Sequence, residues 1–220
     1  MELTLIQKIA VYALPVIFAI TIHEAAHGYV AKYFGDNTAY KLGRISLNPL
    51  KHIDLFGTIL LPALTLALGG ILFGWAKPVP VNFDNLRNPK KDMLWVAAAG
   101  PASNLVMAVF WALVLHFAIG SHQDLNDISP TSTAYFLAKM SLAGISINIV
   151  LMVLNLLPMP PLDGGRIAVS LLPDKMAYQF AQFVRYGFIV LIALMASGVL
   201  SPILMPFINF FNRLIFGLFV

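Results

Sequence analysis

The chain has 220 residues, of which 59% are hydrophobic and only 11% are charged. Such a composition is too apolar for a water-soluble domain and predicts a polytopic membrane protein in contact with the lipid bilayer. The net charge of +4 comes without a basic cluster interleaved with aromatic residues, so nucleic acid is not an expected partner. Cysteine is absent, which excludes disulfides and thiolate metal sites.

The first predicted helix covers about residues 9–34 and carries two histidines four positions apart. His23 and His27 begin and end the stretch His-Glu-Ala-Ala-His, so one helix face can aim both imidazoles at one metal ion. Glu24 is placed to take a proton from an attacking water. The alternative is a pair of structural histidines partnered by Glu24. Because ionisable groups at membrane depth are costly, we favour a functional site.

The next part of the chain has no simple helical pattern. Residues 38–51 are polar with an alternation that predicts short membrane-associated β segments. Residues 55–72 are apolar but interrupted by glycine and proline, which makes a straight helix unfavourable. Pro78 and Pro80 predict an extended conformation for residues 73–83.

Four more helices are expected after a polar loop at residues 85–92. Long uncharged runs here can each cross an apolar slab of about 30 Å. With the first helix and residues 55–72, we expect an all-α fold of about five to six transmembrane or re-entrant helices around a buried site. The four predicted helices cover about residues 93–119, 134–157, 176–197 and 202–219.

A catalytic zinc site needs a third protein ligand besides two histidines. The chain contains only Glu2 and Glu24, so no downstream glutamate can serve. Most aspartates and the other histidines lie in polar connecting segments or near helix ends. Asp163 differs, because it follows an apolar run and a proline-rich turn, and two glycines after it permit a tight backbone. We therefore predict Asp163 as the third ligand; the alternative is a helix-capping aspartate.

Three motifs in this order resemble the site-2 protease family of intramembrane zinc metalloproteases. They are the His23–His27 stretch, Gly-Pro-Ala-Ser-Asn at residues 100–104, and residues 155–165. The resemblance covers about residues 9–175 and is closest to a compact bacterial type without a PDZ or other regulatory domain. It implies one Zn²⁺ per chain, with three ligands and Glu24 as the base; the ligands are His23, His27 and Asp163.

The resemblance also implies residues that bind the substrate. Asn155 and the loop around Pro158, Pro160 and Pro161 are expected to hold the substrate strand. For the donor to the oxyanion, Asn155 is the best candidate, while Asn104 and Asn148 are weaker ones and more typical of hydrogen bonds between helices. Asn104 is also expected among the residues that bind the substrate.

A substrate helix must unwind before its peptide bonds can be attacked. The extended segments at residues 38–46 and 71–82 either accept the unwound stretch by strand addition or only close the site from solvent, and the sequence leaves both interpretations open.

We expect one integral-membrane protease domain over residues 1–220, with a core at about 9–175 and C-terminal helices at about 176–220. The predicted function is cleavage of peptide bonds in or near the transmembrane helices of membrane-protein substrates. A small transporter or channel and a catalytically inactive metal-binding scaffold are the alternatives.

The distribution of basic residues predicts the orientation in a plasma or inner membrane. The loop around residues 121–127 has no Lys or Arg and is placed outside, while the basic segment at residues 166–185 is placed inside. The active site then lies toward the cytoplasm. Residues 55–72 have basic residues on both sides, so we expect them to re-enter the membrane rather than span it.

Overall fold

The computed structural model describes residues 5–54, 57, 60, 76–120 and 127–220 of the chain. Within these ranges the regular elements are helices, which confirms the all-helical class. Besides short 3₁₀ turns at Pro49–Lys51 and Phe83–Asn85, the helices are α1 (Leu5–Tyr33), α2 (Thr38–Lys41), α3 (Pro89–Ile119), α4 (Thr133–Asn155), α5 (Asp163–Leu171), α6 (Asp174–Gln182), α7 (Val184–Ala196) and α8 (Leu200–Phe219).

Several of these helices are suited to cross a membrane. Helices α1, α3, α4 and α8 are each long and apolar enough, and α6 with α7 form a fifth candidate that is bent by 60°. The part of the chain described by the structure is therefore a multi-pass membrane protein with four or five candidate spans. The expected re-entrant segment at residues 55–72 lies, apart from positions 57 and 60, outside the described residues.

The predicted β segments are wrong for the residues that can be compared. Thr38–Lys41 forms one helical turn, because the Asp36 carboxylate accepts hydrogen bonds from the backbone N–H and the hydroxyl of Thr38. Asn48 caps the following 3₁₀ turn by accepting a bond from the Leu50 N–H at 3.0 Å. Residues 76–82 have no regular secondary structure and pair with no strand in the described ranges, and the predicted extended segment ends in a 3₁₀ turn that begins at Phe83.

Helix boundaries differ from the prediction where proline or a turn decides them. Helix α3 begins at Pro89 rather than residue 93, since proline suits the first helical position and Asp92 accepts the Asn88 N–H at 2.7 Å. The predicted helix at residues 176–197 is two helices that meet at Phe183. Helix α8 starts at Leu200, so Pro202 falls in its first turn, where a missing N–H costs little.

Three long helices form the part of the core that carries the site. Helix α1 packs against both α3 and α4, and α5 packs against α3. Side chains buried between α3 and α4 include Trp111, Leu115, Ile145 and Ile149. Close contact is possible because Gly144 faces the Trp111 ring, where a Cβ atom would overlap it. This packing places α1 and α5 against the same helix, α3.

Candidate metal centre

Two imidazoles and one carboxylate meet where α1 approaches the first residue of α5. The Nε2 atoms of His23 and His27 are 3.1 Å apart. Asp163 Oδ2 lies 3.2 Å from the first and 3.3 Å from the second. All three residues are buried. The structure thus brings together the three residues predicted as ligands.

The spacing of these three atoms fits a tetrahedral zinc ion. Nitrogen and oxygen ligands at about 2.0–2.2 Å from zinc lie roughly 3.3–3.6 Å from one another in a tetrahedron. The observed separations of 3.1–3.3 Å are close to those edges. Two imidazoles and one carboxylate also form a ligand set known from catalytic zinc sites.

The hydrogen bonds on the far side of the cluster support a cation at its centre. His27 Nδ1 lies 2.7 Å from the Val96 carbonyl oxygen, which can only accept, so Nδ1 carries the proton and Nε2 offers a lone pair. Asp163 Oδ2 is buried and has no hydrogen-bond partner. A lone pair facing an unpaired buried carboxylate oxygen is costly, and a bound cation would remove that cost.

Gly100 leaves room for the cluster on the α3 side. A Cβ atom at this position would lie 2.5 Å from Cε1 and Nε2 of His23 and 2.5 Å from Nε2 of His27. Any side chain here would therefore displace the imidazoles. The sequence shows the glycine, but only the packing of α3 on α1 shows what it faces.

The turn between α4 and α5 carries Asp163 into the cluster. Gly164 packs directly on the Leu157 carbonyl, and a Cβ atom at Gly165 would lie 2.6 Å from the Pro160 nitrogen. The Arg166 guanidinium lies 3.8 Å from Asp163 Oδ1, on the carboxylate oxygen that does not face the imidazoles. Sequence reasoning missed Arg166, although its position three residues after Asp163 on one helix was an available signal.

Glu24 is hydrogen-bonded by the irregular segment at residues 77–82, which we call the covering segment. Its Oε2 accepts a hydrogen bond from the Val79 N–H at 2.8 Å. Arg44 donates to the Lys77 carbonyl at 3.0 Å. At the other end, the Asn82 N–H donates to Asp36 at 2.8 Å. The sequence predicted extended chain here but not its contact with the predicted base.

Comparison with known proteins decides the family. The chain is 43% identical over 195 residues to the protein named "Putative zinc metalloprotease YwhC" of Bacillus subtilis. The aligned residues are 88% of this chain and 83% of that protein. The chain belongs to peptidase family M50, the site-2 protease family. The model of that family matches residues 119–196.

A more distant M50 relative gives the same picture. The protein named "Putative zinc metalloprotease Rip2" of Mycolicibacterium smegmatis is 32% identical over 187 residues, which are 84% of this chain and 66% of that protein. No solved structure matches the chain. The family relationship therefore comes from sequence and confirms the resemblance carried by the three motifs.

The other residues predicted for the M50 site lie around the cluster rather than in it. Asn104 is fully buried, with Oδ1 2.6 Å from His23 Nδ1. Asn155 ends α4 and donates to the Leu151 carbonyl at 2.9 Å. Pro158 and Pro160 line a small apolar cavity, and Pro161 follows them in the same turn. Substrate contact by these residues stays a prediction.

Proposed function

We propose that this M50 protein is an intramembrane zinc endopeptidase that cleaves membrane-protein substrates in or near their transmembrane helices. The observation that carries the proposal is the buried convergence of His23 and His27, on a helix apolar enough to span a membrane, with Asp163 at the start of α5. A hydrolytic centre in such a place meets substrate segments that a soluble peptidase does not reach.

Each residue of the cluster has a distinct task in this proposal. His23, His27 and Asp163 would hold one zinc ion, which when bound polarises the scissile carbonyl and activates water. Glu24 adjoins the first ligand in sequence and is the general base that accepts the proton of the attacking water. The same carboxyl then returns the proton to the leaving amine.

Asn155 is proposed as the neutral donor to the developing oxyanion. Its carboxamide lies at the last residue of α4 and is half-buried. It bonds the Leu151 carbonyl of its own helix, so it must turn away from the helix to reach a substrate. The turn that follows, with Pro158, Pro160 and Pro161, is proposed to hold the substrate strand beside it.

The contacts of the covering segment support closure of the site rather than strand addition. The N–H of Val79 is taken by Glu24, and Pro78 and Pro80 on either side have no N–H to offer an added strand. We propose that the segment covers the predicted base in the resting protein. A substrate then reaches Glu24 only after the segment shifts.

The active site is proposed to lie toward the cytoplasm. Lys90 at the start of α3 pairs with Asp174 at the start of α6 at 2.6 Å, so these two helix starts share one end of the molecule. Arg166, beside the cluster, and Lys175 belong to the same basic part of the chain. Basic residues favour the inner face of a membrane, which supports this orientation.

Zinc stoichiometry of ligand variants tests the proposed site. The protein purified in detergent should bind one Zn²⁺ per chain, and His23→Ala, His27→Ala and Asp163→Ala should each lose it. His116→Ala is the matched control, because His116 is an exposed histidine on α3 outside the cluster. Full zinc retention in all three ligand variants would refute the assignment.

A further inference from the structure

Two asparagines lie behind the metal cluster in the helix core, Asn104 on α3 and Asn148 on α4. Both are completely buried. Asn104 Oδ1 lies 2.6 Å from His23 Nδ1, and Asn104 Nδ2 donates to Asn148 Oδ1 at 2.9 Å. Asn148 Nδ2 in turn donates to the Gly144 carbonyl at 2.8 Å. A continuous series of hydrogen bonds therefore links α4 and α3 to a predicted zinc ligand on α1.

Backbone carbonyls fix the orientation of the two side-chain amides in this series of hydrogen bonds. The Gly144 carbonyl can only accept, so Asn148 must turn its NH₂ toward it and its oxygen toward Asn104. Asn104 must then present its NH₂ to Asn148. The Ala19 carbonyl, 3.3 Å from the same NH₂, requires the same orientation. Two independent acceptors therefore leave only the oxygen of Asn104 for His23.

The consequence reaches the predicted metal ligand. Because Asn104 presents an oxygen, His23 Nδ1 must carry a proton and donate it. The neutral ring then has its lone pair on Nε2, the atom that lies 3.2 Å from Asp163 Oδ2. His27 obtains the same tautomer from the Val96 carbonyl. Both imidazoles thus carry their proton on Nδ1. A backbone carbonyl accepts this proton from His27, and a side-chain oxygen accepts it from His23.

We propose that Asn104 and Asn148 are positioning residues that hold His23 in the tautomer and ring orientation needed to bind zinc. The inference rests on the proposed zinc site. A histidine ligand whose second nitrogen lacks a fixed acceptor is free to rotate or to protonate the nitrogen that should bind metal. Loss of such a partner typically costs about 10–100-fold in metal affinity.

Buried asparagines also join transmembrane helices without any part in a metal site, so the test must separate the two roles. Asn104→Leu removes the acceptor at similar volume and should raise the dissociation constant for Zn²⁺ by about 10–100-fold, measured by competition with a chelator. Asn104→Asp keeps an oxygen toward His23, and as a carboxylic acid it also keeps a donor toward the Asn148 oxygen, so it should restore much of the affinity. Asn148→Leu should cause a smaller loss, because the Asn104 amide is then held by the Ala19 carbonyl alone.

Ser141→Ala is the matched control. Ser141 is equally buried on α4 but donates only to the Leu137 carbonyl of its own helix, so its loss should leave zinc affinity unchanged. Circular dichroism of every variant checks that the helices remain. Wild-type zinc affinity in a folded Asn104→Leu protein would overturn the inference. Equal losses in the Asn104→Leu and Asn104→Asp proteins would do the same.

A measurement on the unaltered protein keeps the inference falsifiable if the variants do not fold. Nitrogen-15 spectra of histidine-labelled protein loaded with Zn²⁺ should show His23 with a protonated Nδ1 and a zinc-bound Nε2. An unprotonated or zinc-bound Nδ1 at His23 would refute the inference. Failure of the wild-type protein to bind zinc would instead refute the proposed function, so the two failures are distinguishable.

Discussion

At the scale of single residues, the site is built from atoms that accept rather than donate. Nε2 of His27 and Oδ2 of Asp163 face each other across 3.3 Å, with the imidazole proton held on the far side by the Val96 carbonyl. In a buried place such an arrangement needs a positive charge between the acceptors, and a bound metal ion supplies one while leaving both imidazoles neutral. The zinc proposal therefore depends on the protonation that the surroundings impose, in addition to residue type.

Gly100 should be intolerant of any side chain. In Gly100→Ala the new Cβ atom would lie 2.5 Å from ring atoms of both His23 and His27 and would displace them. Because small misplacements of a catalytic group reduce rates strongly, we expect turnover of a membrane substrate to fall about 10²-fold. Gly217→Ala on α8 is the control, since a Cβ atom there meets nothing within 4 Å. Equal activity of the two variants would contradict this account of α3 packing.

Asp36 should make stability depend on pH. Burial alone would raise the pKa of Asp36, but hydrogen bonds from Thr38, Asn82 and Asn85 outweigh burial and lower the pKa below its usual range. The contribution of ionised Asp36 to the free energy of unfolding is therefore complete above the unfolded-state pKa of about 3.9. It is lost as the pH falls through the lower folded-state pKa.

Thermal unfolding of Asp36→Asn beside the wild type measures this effect. The wild type should unfold at a higher temperature near pH 7, and the difference should shrink as the pH falls below about 4. A difference that stays constant over this range would show that the charge of Asp36 does not contribute.

At the scale of elements, sequence pattern located the long helices and the predicted ligands better than the segments between them. Sequence alone indicated the i, i+4 pair His23 and His27 and the turn before Asp163, because each depends on local geometry. For the covering segment, the sequence predicted only an extended conformation. Its contact with Glu24 joins residues 55 positions apart in sequence, and no local pattern reports such a contact.

The two corrected elements show the same limit. Alternation at residues 38–51 predicted short strands, yet residues 38–41 form a helical turn whose first residue, Thr38, donates its N–H and hydroxyl to Asp36. The continuous apolar pattern before residue 197 predicted one helix, yet the chain forms two helices, α6 and α7, with a bend of 60° after Gln182. Just beyond the bend, a Cβ atom at Gly187 would overlap the Pro160 carbonyl, so the start of α7 packs tightly on the proline turn.

An engineered disulfide tests whether the covering segment must move. A Cβ atom at Gly28 would lie 3.1 Å from Cγ1 of Val79 and 2.9 Å from Cγ1 of Ile45. Once the end of the Ile45 side chain shifts, cysteines at positions 28 and 79 should pair in this cysteine-free chain. We expect the oxidised Gly28→Cys/Val79→Cys protein to lose cleavage of a membrane substrate. Reduction should restore it, because the segment is then free to leave Glu24.

Gly28→Cys/Ala39→Cys is the matched control for the locked segment. A Cβ atom at Gly28 would lie 3.6 Å from Cβ of Ala39, a separation suited to a disulfide. This pair shares the change at Gly28 but leaves the covering segment free, so it should cleave equally when oxidised and reduced. Full activity of the oxidised 28–79 protein would show that substrates reach Glu24 without displacing the segment.

At the scale of the whole molecule, composition predicted a multi-pass membrane protein, and the helices bear this out. Orientation in the membrane is a separate matter, because it depends on which compartment each loop faces. The proposal places the metal cluster near the inner face, on the side of the Lys90–Asp174 pair. The asymmetric distribution of Lys and Arg along the sequence supports this orientation.

Single cysteines in the otherwise cysteine-free chain test the orientation. Asn48→Cys and Asp84→Cys occupy exposed positions on either side of residues 55–72 and should both react with an impermeant thiol reagent only from the cytoplasmic side. A cysteine at position 123 should react only from the outer side. Labelling of positions 48 and 84 from opposite sides would show that residues 55–72 span the membrane.

The central claim is that Glu24 performs proton transfer at a zinc centre held by three other residues. The most direct measurement compares zinc content and membrane-protein fragments in cells and preparations that carry either the wild type or Glu24→Gln. We predict one bound Zn²⁺ per chain in both proteins, with fragments of transmembrane substrates accumulating only with the wild type. Cleavage by Glu24→Gln at the wild-type rate, with its zinc intact, would contradict the account.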